Sequence, residues 1–239
     1  EDGIRDLVRS RGLGDVYKRQ SIPNGPSPLI NSEENKIYEK KILPKVLDLL
    51  CGSSPINYQR KKIVPKVSGN VLEIGIGSGL NLPHYNVSNI SNITALDPAE
   101  ELTDIAKKRI SELDLDIDVI NCGAEEIPLE SKSFDSILVT YTLCSIENLD
   151  DSMREIRRVI KDDGNLFFCE HGIAPDAKVI KWQNRVNPLW GKLFGGCNIN
   201  RNIPEIIQSS GFKLNSLDQM YLPSTPKIVG YNYWGTASS

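Results

Sequence analysis

The sequence predicts an α/β fold, a mainly parallel sheet with helices on both faces. Three observations lead there. Short β-rich runs alternate with stretches of helical apolar spacing from Val71 to Glu170. The first of these runs empties into a glycine loop, Gly75-Ile76-Gly77-Ser78-Gly79. The composition, 39% hydrophobic with 18 glycines in 239 residues, is that of an ordinary globular chain with a sizeable core. Strand–helix alternation of this kind brings parallel strands together through right-handed crossovers.

The elements follow in order. Glu34–Leu50 is an amphipathic helical stretch, broken or restarted at Pro44. VLEIG (71–75) and ITALD (93–97) are the first two strands, and Leu102, Ile105, Ala106, Ile110 and Leu113 recur at helical spacing behind them. IDVIN (117–121) and SILVT (136–140) read as strands three and four. Leu149, Met153, Ile156 and Ile160 mark another helix, stopped by Asp163-Gly164. NLFFCE (165–170) is a fifth strand. KLNSLDQMY (213–221) and KIVGYNYW (227–234) are β-rich and separated by Pro223-Ser224-Thr225-Pro226, which predicts an antiparallel, hairpin-like finish. The chain thus divides into residues 1–20, a linker over 21–33, a helical lid over 34–68, the main domain over 69–234 and a tail over 235–239. Asp15–Gln20 (DVYKRQ) resembles a translated sequencing adapter, so Glu1–Gln20 is expected to be an artefactual segment. An upstream membrane anchor stays open on that reading.

Several function classes are disfavoured. Lys+Arg 28 against Asp+Glu 31 gives a net charge of −3, which lacks the basic balance of a general nucleic-acid binder. No stretch approaches the ~20 apolar residues of a membrane-spanning helix. Five scattered cysteines without a CxxC pair suggest neither a disulfide framework nor a metal site, and fit a reducing, cytoplasmic location.

The glycine loop discriminates further. A dinucleotide fingerprint needs G-x-G-x-x-G, but Leu80 stands at the last glycine position; a phosphate-binding P-loop needs Gly-Lys-Ser/Thr, and no lysine is present. What stands instead is E-x-G-x-G-S-G, with Glu73 two residues before the first glycine. The second strand ends in Asp97, which could cap the helix that follows Pro98, a role compatible with binding a ligand.

With these residues the chain resembles the class I S-adenosylmethionine (SAM) dependent methyltransferases, from about Ile37 to the C-terminus. VLEIGIGSG matches their first motif. The resemblance implies a Rossmann-like, seven-stranded sheet with an antiparallel C-terminal strand, and SAM as cofactor. It places Glu73, Gly75, Gly77, Ser78, Gly79, Asp97, Pro98, Ala124, Glu125 and Thr140 around that cofactor, with Glu73 supporting either the loop or, through bound water, the ammonium side. SAM carries a sulfonium, an ammonium and a carboxylate but no phosphate, so backbone N–H groups of the loop and helix start can receive its carboxylate.

The acceptor side is more specific. The Asn/Asp-Pro-Pro-aromatic motif usual in methyltransferases of planar amino groups is absent after strand four. LCSI (143–146), Glu170-His171 and FGGCNINR (194–201) look like the small-molecule thiol S-methyltransferase branch and its bacterial relatives. That implies a small, apolar acceptor, a thiol first. The alternatives are O- or N-methylation of a quinone or lipid-like molecule, and a SAM-binding protein without catalysis. His171 is the candidate general base or a local strand-end hydrogen-bonding residue, Cys144 a pocket residue or an ordinary core residue. Trp182 and Trp190 are helix-packing residues or pocket walls; a closed apolar pocket around Cys144, His171 and Trp182 would favour the enzyme. Arg201 binds an acidic acceptor or caps its turn. Ile37, Ile42, Val46 and Leu50 form a lid, touching a membrane in one version, or a helix packed on the sheet. The partner expected is a small molecule, no nucleic acid, with the protein a monomer or homodimer.

Overall fold

The computed structural model describes residues 38–113 and 115–239. The adapter-like segment, the linker and Ile37 lie outside the described residues. A π-helical turn, Tyr38–Ile42, leads into α1 (Leu43–Cys51) and α2 (Ser54–Ile63). Pro44 sits in the first turn of α1, where the missing N–H costs nothing, so it starts this helix rather than breaking a longer one. Then come β1 (Gly69–Ile74), β2 (Ile90–Leu96), α3 (Glu100–Glu112), β3 (Ile117–Ile120), β4 (Phe134–Thr140), α4 (Leu149–Val159) and β5 (Ile160–His171). The chain closes with α5 (Ala177–Leu193), α6 (Ile203–Ser209), β6 (Lys213–Tyr221) and β7 (Tyr231–Ser238).

The seven strands form one sheet in the order β3-β2-β1-β4-β5-β7-β6. The first five are parallel; β7 inserts antiparallel between β5 and β6. The fold is therefore the Rossmann-like class I arrangement expected from the sequence. One difference lies at the end: β7 starts only at Tyr231 and runs through Ser238, so the residues taken as a tail are strand. Ala237 is fully buried because the strand is paired on both sides, with Leu166 of β5 and Leu214 of β6.

Side-chain alternation loads both faces of the sheet. Leu72, Ile74, Ile137, Val139, Leu166 and Phe168 pack with Met153 and Ile156 of α4 and with Ile203 and Ile207 of α6. The intervening Val71, Leu138, Phe167 and Cys169 pack with Ile63, Val64 and Val67. Period two in each strand thus buries both sides.

From β1 the chain steps outward to β2 and β3, and from β4 in the opposite direction to β5. Loops leaving the carboxyl ends of β1 and β4 therefore diverge and leave a crevice between them. Among the described residues, no helix is long and apolar enough to cross a membrane.

Candidate active site

The crevice opens into a cavity of about 800 Å³, near the upper end of the volume range of small-molecule sites. One end is the loop after β1. Gly75 (φ 75°), Gly77 (φ 53°) and Gly79 (φ 81°) all occupy the left-handed region. Their surroundings differ. A Cβ on Gly75 would run into the Thr142 side chain, and one on Gly79 would lie 2.6 Å from Leu82 Cδ1. A Cβ on Gly77 would meet no atom within 4 Å, because Gly77 faces the recess itself.

Asp97 closes this end from β2. One carboxylate oxygen accepts the Gly77 N–H at 2.8 Å and the other the Ala99 N–H at 2.9 Å. Burial raises the Asp97 pKa, and those two amides oppose the rise. The helix cap is Ala99, so Asp97 sits two residues before the cap of α3, lining the cavity and bracing the glycine loop. Pro98, Ala124, Glu125, Ser78 and Thr140 line the same cavity, as do Cys144 and His171. If Asp97 has the cofactor role that the resemblance implies, Asp97→Ala is expected to weaken SAM binding by about 1.5–3 kcal/mol, since a buried charged acceptor is removed. Calorimetry with unchanged affinity would remove Asp97 from the site.

Glu73 is placed differently. It is buried beneath the loop, accepting 2.7 Å and 2.5 Å hydrogen bonds from Asn81 Nδ2 and the Tyr85 hydroxyl. It braces the loop and does not line the cavity, and burial raises its pKa despite those donors. Ser78 gives its hydroxyl to Asp48 of α1 at 2.6 Å; Asp48 also pairs with Arg109 of α3 at 2.8 Å. This clasp seats α1 against the glycine loop. Leu43, Pro44, Leu47, Leu50 and Cys51 of that helix line the cavity, while Ile42 and Leu49 face solvent.

Arg60 was not singled out in the sequence. It is 5% exposed, lines the cavity, and donates to Asn81 Oδ1 at 2.8 Å and Thr140 Oγ1 at 2.6 Å. Its guanidinium lies 5.0 Å from the Tyr141 ring centre, and its Nε is buried without a hydrogen-bond partner. A signal existed: Ile56, Arg60 and Ile63 fall at i, i+4 and i+7, which puts the arginine on the inward face of α2. The flanking Lys61 and Lys62 disguise it as a solvated basic run.

The far end of the cavity is assembled from three loops. Tyr141 takes φ 54°, a strained conformation for a bulky residue, and turns the chain sharply out of β4. The amides of Thr142 and Leu143 then donate to Glu170 Oε1 at 2.7 and 3.0 Å. The FGGCNINR segment is fastened to the same loop. Asn198 N–H donates to the Cys144 carbonyl at 2.7 Å, and Arg201 Nη1 donates to the Leu143 carbonyl. Asn187 of α5 holds this segment by a 2.9 Å bond to Asn198 Oδ1 and a 2.8 Å bond from the Ile199 N–H. Arg201 is thus tied into the loop junction.

This junction brings the Cys144 sulfur, a His171 ring nitrogen and the Cys197 sulfur within 4.8 Å of one another. Cys197 Sγ lies 3.2 Å from His171 Nε2. The Cys197 thiol beside Cys144 holds the Cys144 pKa well below its usual range, against burial and with help from His171. The Cys197 thiol is held up correspondingly, by Cys144 first and by burial second. The cysteine spacing suggested no such cluster, because its members come from three separate connections. Trp190 lines the cavity and packs on Phe194, ring centres 4.1 Å apart. Trp182 is not a wall of this cavity: it is 58% exposed on the outer side of α5, beside Arg185.

The fold and this cavity define an α/β protein whose crevice has the glycine loop at one end and the Cys144–His171–Cys197 wall at the other. A model of the methyltransferase domain matches residues 72–168. The chain is 28% identical over 173 residues to thiol S-methyltransferase TMT1A of Homo sapiens, spanning 70% of each chain. It is 28% identical over 134 residues to the ubiquinone/menaquinone biosynthesis C-methyltransferase UbiE of Campylobacter jejuni, spanning 56% of this chain and 47% of that one. A SAM-dependent methyltransferase structure from Leishmania major superposes with a TM-score of 0.62 at 12% identity, covering 86% of this chain and 82% of that one. That identity speaks for the fold alone. Together these findings support a SAM-dependent methyltransferase with the class I, Rossmann-like fold.

Proposed function

We propose that the enzyme methylates the sulfur of a small, apolar thiol. The observation that carries this is the far compartment: the LCSI and FGGCNINR segments are hydrogen-bonded into one wall around Cys144, His171 and Cys197. Trp190, Phe194, Leu222 and Val229 add apolar lining. Relatives sharing about 70% of this chain's length carry the name thiol S-methyltransferase, which supports the same reading.

The residues present fit the cofactor. Gly77 leaves open space where any side chain would intrude, and the positive charge of Arg60, which lines the cavity, suits an anionic group such as the carboxylate of a methionine moiety. In this assignment Asp97 holds the ribose, Ala124 and Glu125 flank the base, and Gly75–Gly79, Thr140 and Arg60 hold the amino-acid end. SAM supplies an electrophilic methyl on a sulfonium sulfur. The protein's part is to align an incoming sulfur with it, and to exclude water with α1 and the Trp190–Phe194 wall. A free thiol has a pKa of about 8.5, so a few per cent is thiolate at neutral pH and no strong base is needed.

The test is a labelled-methyl assay of purified protein against aryl and alkyl thiols, phenols, amines and a reduced quinone. Thiols are expected to turn over at least about tenfold faster than phenols of the same shape, a gap of about 1.4 kcal/mol in barrier. A phenol, amine or quinone preferred over every thiol would overturn the assignment.

A further inference from the structure

We propose that Cys144, His171 and Cys197 form a zinc site whose open fourth position takes the sulfur of the acceptor. The inference rests on the thiol reading above for its substrate and on geometry for the metal site.

Two thiolates and one imidazole are a donor set that zinc prefers, and three protein ligands with one open position is the arrangement of catalytic rather than structural zinc. Tetrahedral zinc places sulfur and nitrogen ligands about 3.5–3.8 Å apart, from Zn–S and Zn–N lengths of about 2.3 and 2.0–2.1 Å. The three donor atoms here all lie within 4.8 Å of one another, with the Cys197–His171 pair at 3.2 Å. Small side-chain rotations close that difference without moving a strand.

The backbone carrying these donors is locked. Cys144 follows a loop pinned to Glu170, the residue before His171; Asn198, the residue after Cys197, donates to the Cys144 carbonyl. Arg201 reaches the Leu143 carbonyl, and Asn187 fixes Asn198 from α5. Pre-positioned ligands with their supports in place are what a metal site requires and what a chance meeting of side chains lacks. All three residues line the cavity, so the fourth position faces the acceptor compartment and not the protein interior.

The chemistry balances without a further reactant. An acceptor thiol binding at the open position releases its proton to solvent, since a thiol on zinc is deprotonated. The bound sulfur's electron pair forms the new bond to the methyl carbon. The methyl–sulfonium bond breaks, and its electrons remain on the cofactor's sulfur. The thioether product is neutral, a weaker zinc ligand than the thiolate, and leaves.

The experiment uses the full chain, reduced, loaded with excess zinc and dialysed. Metal analysis is expected to give about one equivalent per chain. Cys144→Ser, His171→Asn and Cys197→Ser should each fall below about 0.1 equivalent, while Cys51→Ser, a cavity cysteine outside the cluster, keeps its metal. Circular dichroism melting identifies any variant that merely fails to fold; for such a variant the cobalt(II) form of the wild type gives the answer. That form should show tetrahedral d–d bands and thiolate charge transfer, which intensifies on adding thiophenol and not on adding phenol. Wild type taking up no zinc or cobalt, metal retained by all three variants, or a Cys144–Cys197 disulfide with no metal uptake after reduction would each overturn the site. A cobalt spectrum unmoved by thiophenol would overturn the role of the fourth position. Thiols methylated equally well by metal-free protein would sink the zinc and spare the thiol assignment. Metal bound without thiol turnover would spare the site and sink that assignment.

Discussion

Gly75→Ala is expected to destabilise the protein by about 2–5 kcal/mol and to abolish measurable SAM binding. Two costs add. A side chain in the left-handed region costs about 1–2 kcal/mol. The new Cβ also collides with Thr142, whose own Cβ would be only 2.9 Å away, and overpacking of this kind costs about 1–3 kcal/mol. Thr142 has little freedom to yield, because its N–H is held by Glu170 at 2.7 Å. The collision is therefore passed to the loop that carries Cys144. Gly77→Ala separates the two effects. It meets no atom within 4 Å and bears only the backbone cost, so its melting temperature should fall less while SAM binding is still lost. Thermal melts and calorimetry on the pair decide it; a Gly77→Ala enzyme that binds SAM normally would show that the recess is not the cofactor site.

Arg60→Met carries the second large effect, about 2–4 kcal/mol in stability and at least about tenfold in SAM affinity. Methionine fills similar space but leaves Asn81 Oδ1 without its donor, leaves Thr140 Oγ1 with only the Asn81 amide, and removes a cation that lowers the pKa of the buried Glu73. The loss has a definite pH dependence. Glu73 already has a raised pKa through burial, and without Arg60 it rises further. A group whose folded-state pKa is raised stabilises the protein at low pH and loses that contribution as pH climbs through the folded value. The deficit of Arg60→Met relative to wild type should therefore grow as pH rises from the raised folded pKa of Glu73 in the wild type towards its still higher value in the variant. Chemical denaturation at several pH values tests this, and a deficit constant with pH would uncouple Arg60 from Glu73.

The sequence carried the parallel core well, for a physical reason. Strands such as VLEIG and SILVT are continuous apolar runs because helices cover both faces, and α3 and α4 declare themselves by spacing alone. The glycine loop was equally legible, since left-handed backbone at Gly75, Gly77 and Gly79 can be met by few other residues. The last strand was displaced because Lys227–Gly230 is as β-rich in composition as Tyr231–Ser238. Only pairing with β5 on one side and β6 on the other selects the second segment.

Local sequence thus determined the α/β scaffold and the glycine-loop end of its cavity, where each requirement falls on consecutive residues. Tertiary structure alone decided the opposite end. Arg60 is a cavity residue because α2 packs that face inward, Glu73 is a brace because Asn81 and Tyr85 reach it first, and Trp182 is outside because α5 turns it to solvent. The meeting of Cys144, His171 and Cys197 depends on three connections closing over one another. Hydrogen bonds between residues far apart in the chain hold that closure, and periodicity, which reports only on near neighbours, carries no trace of it.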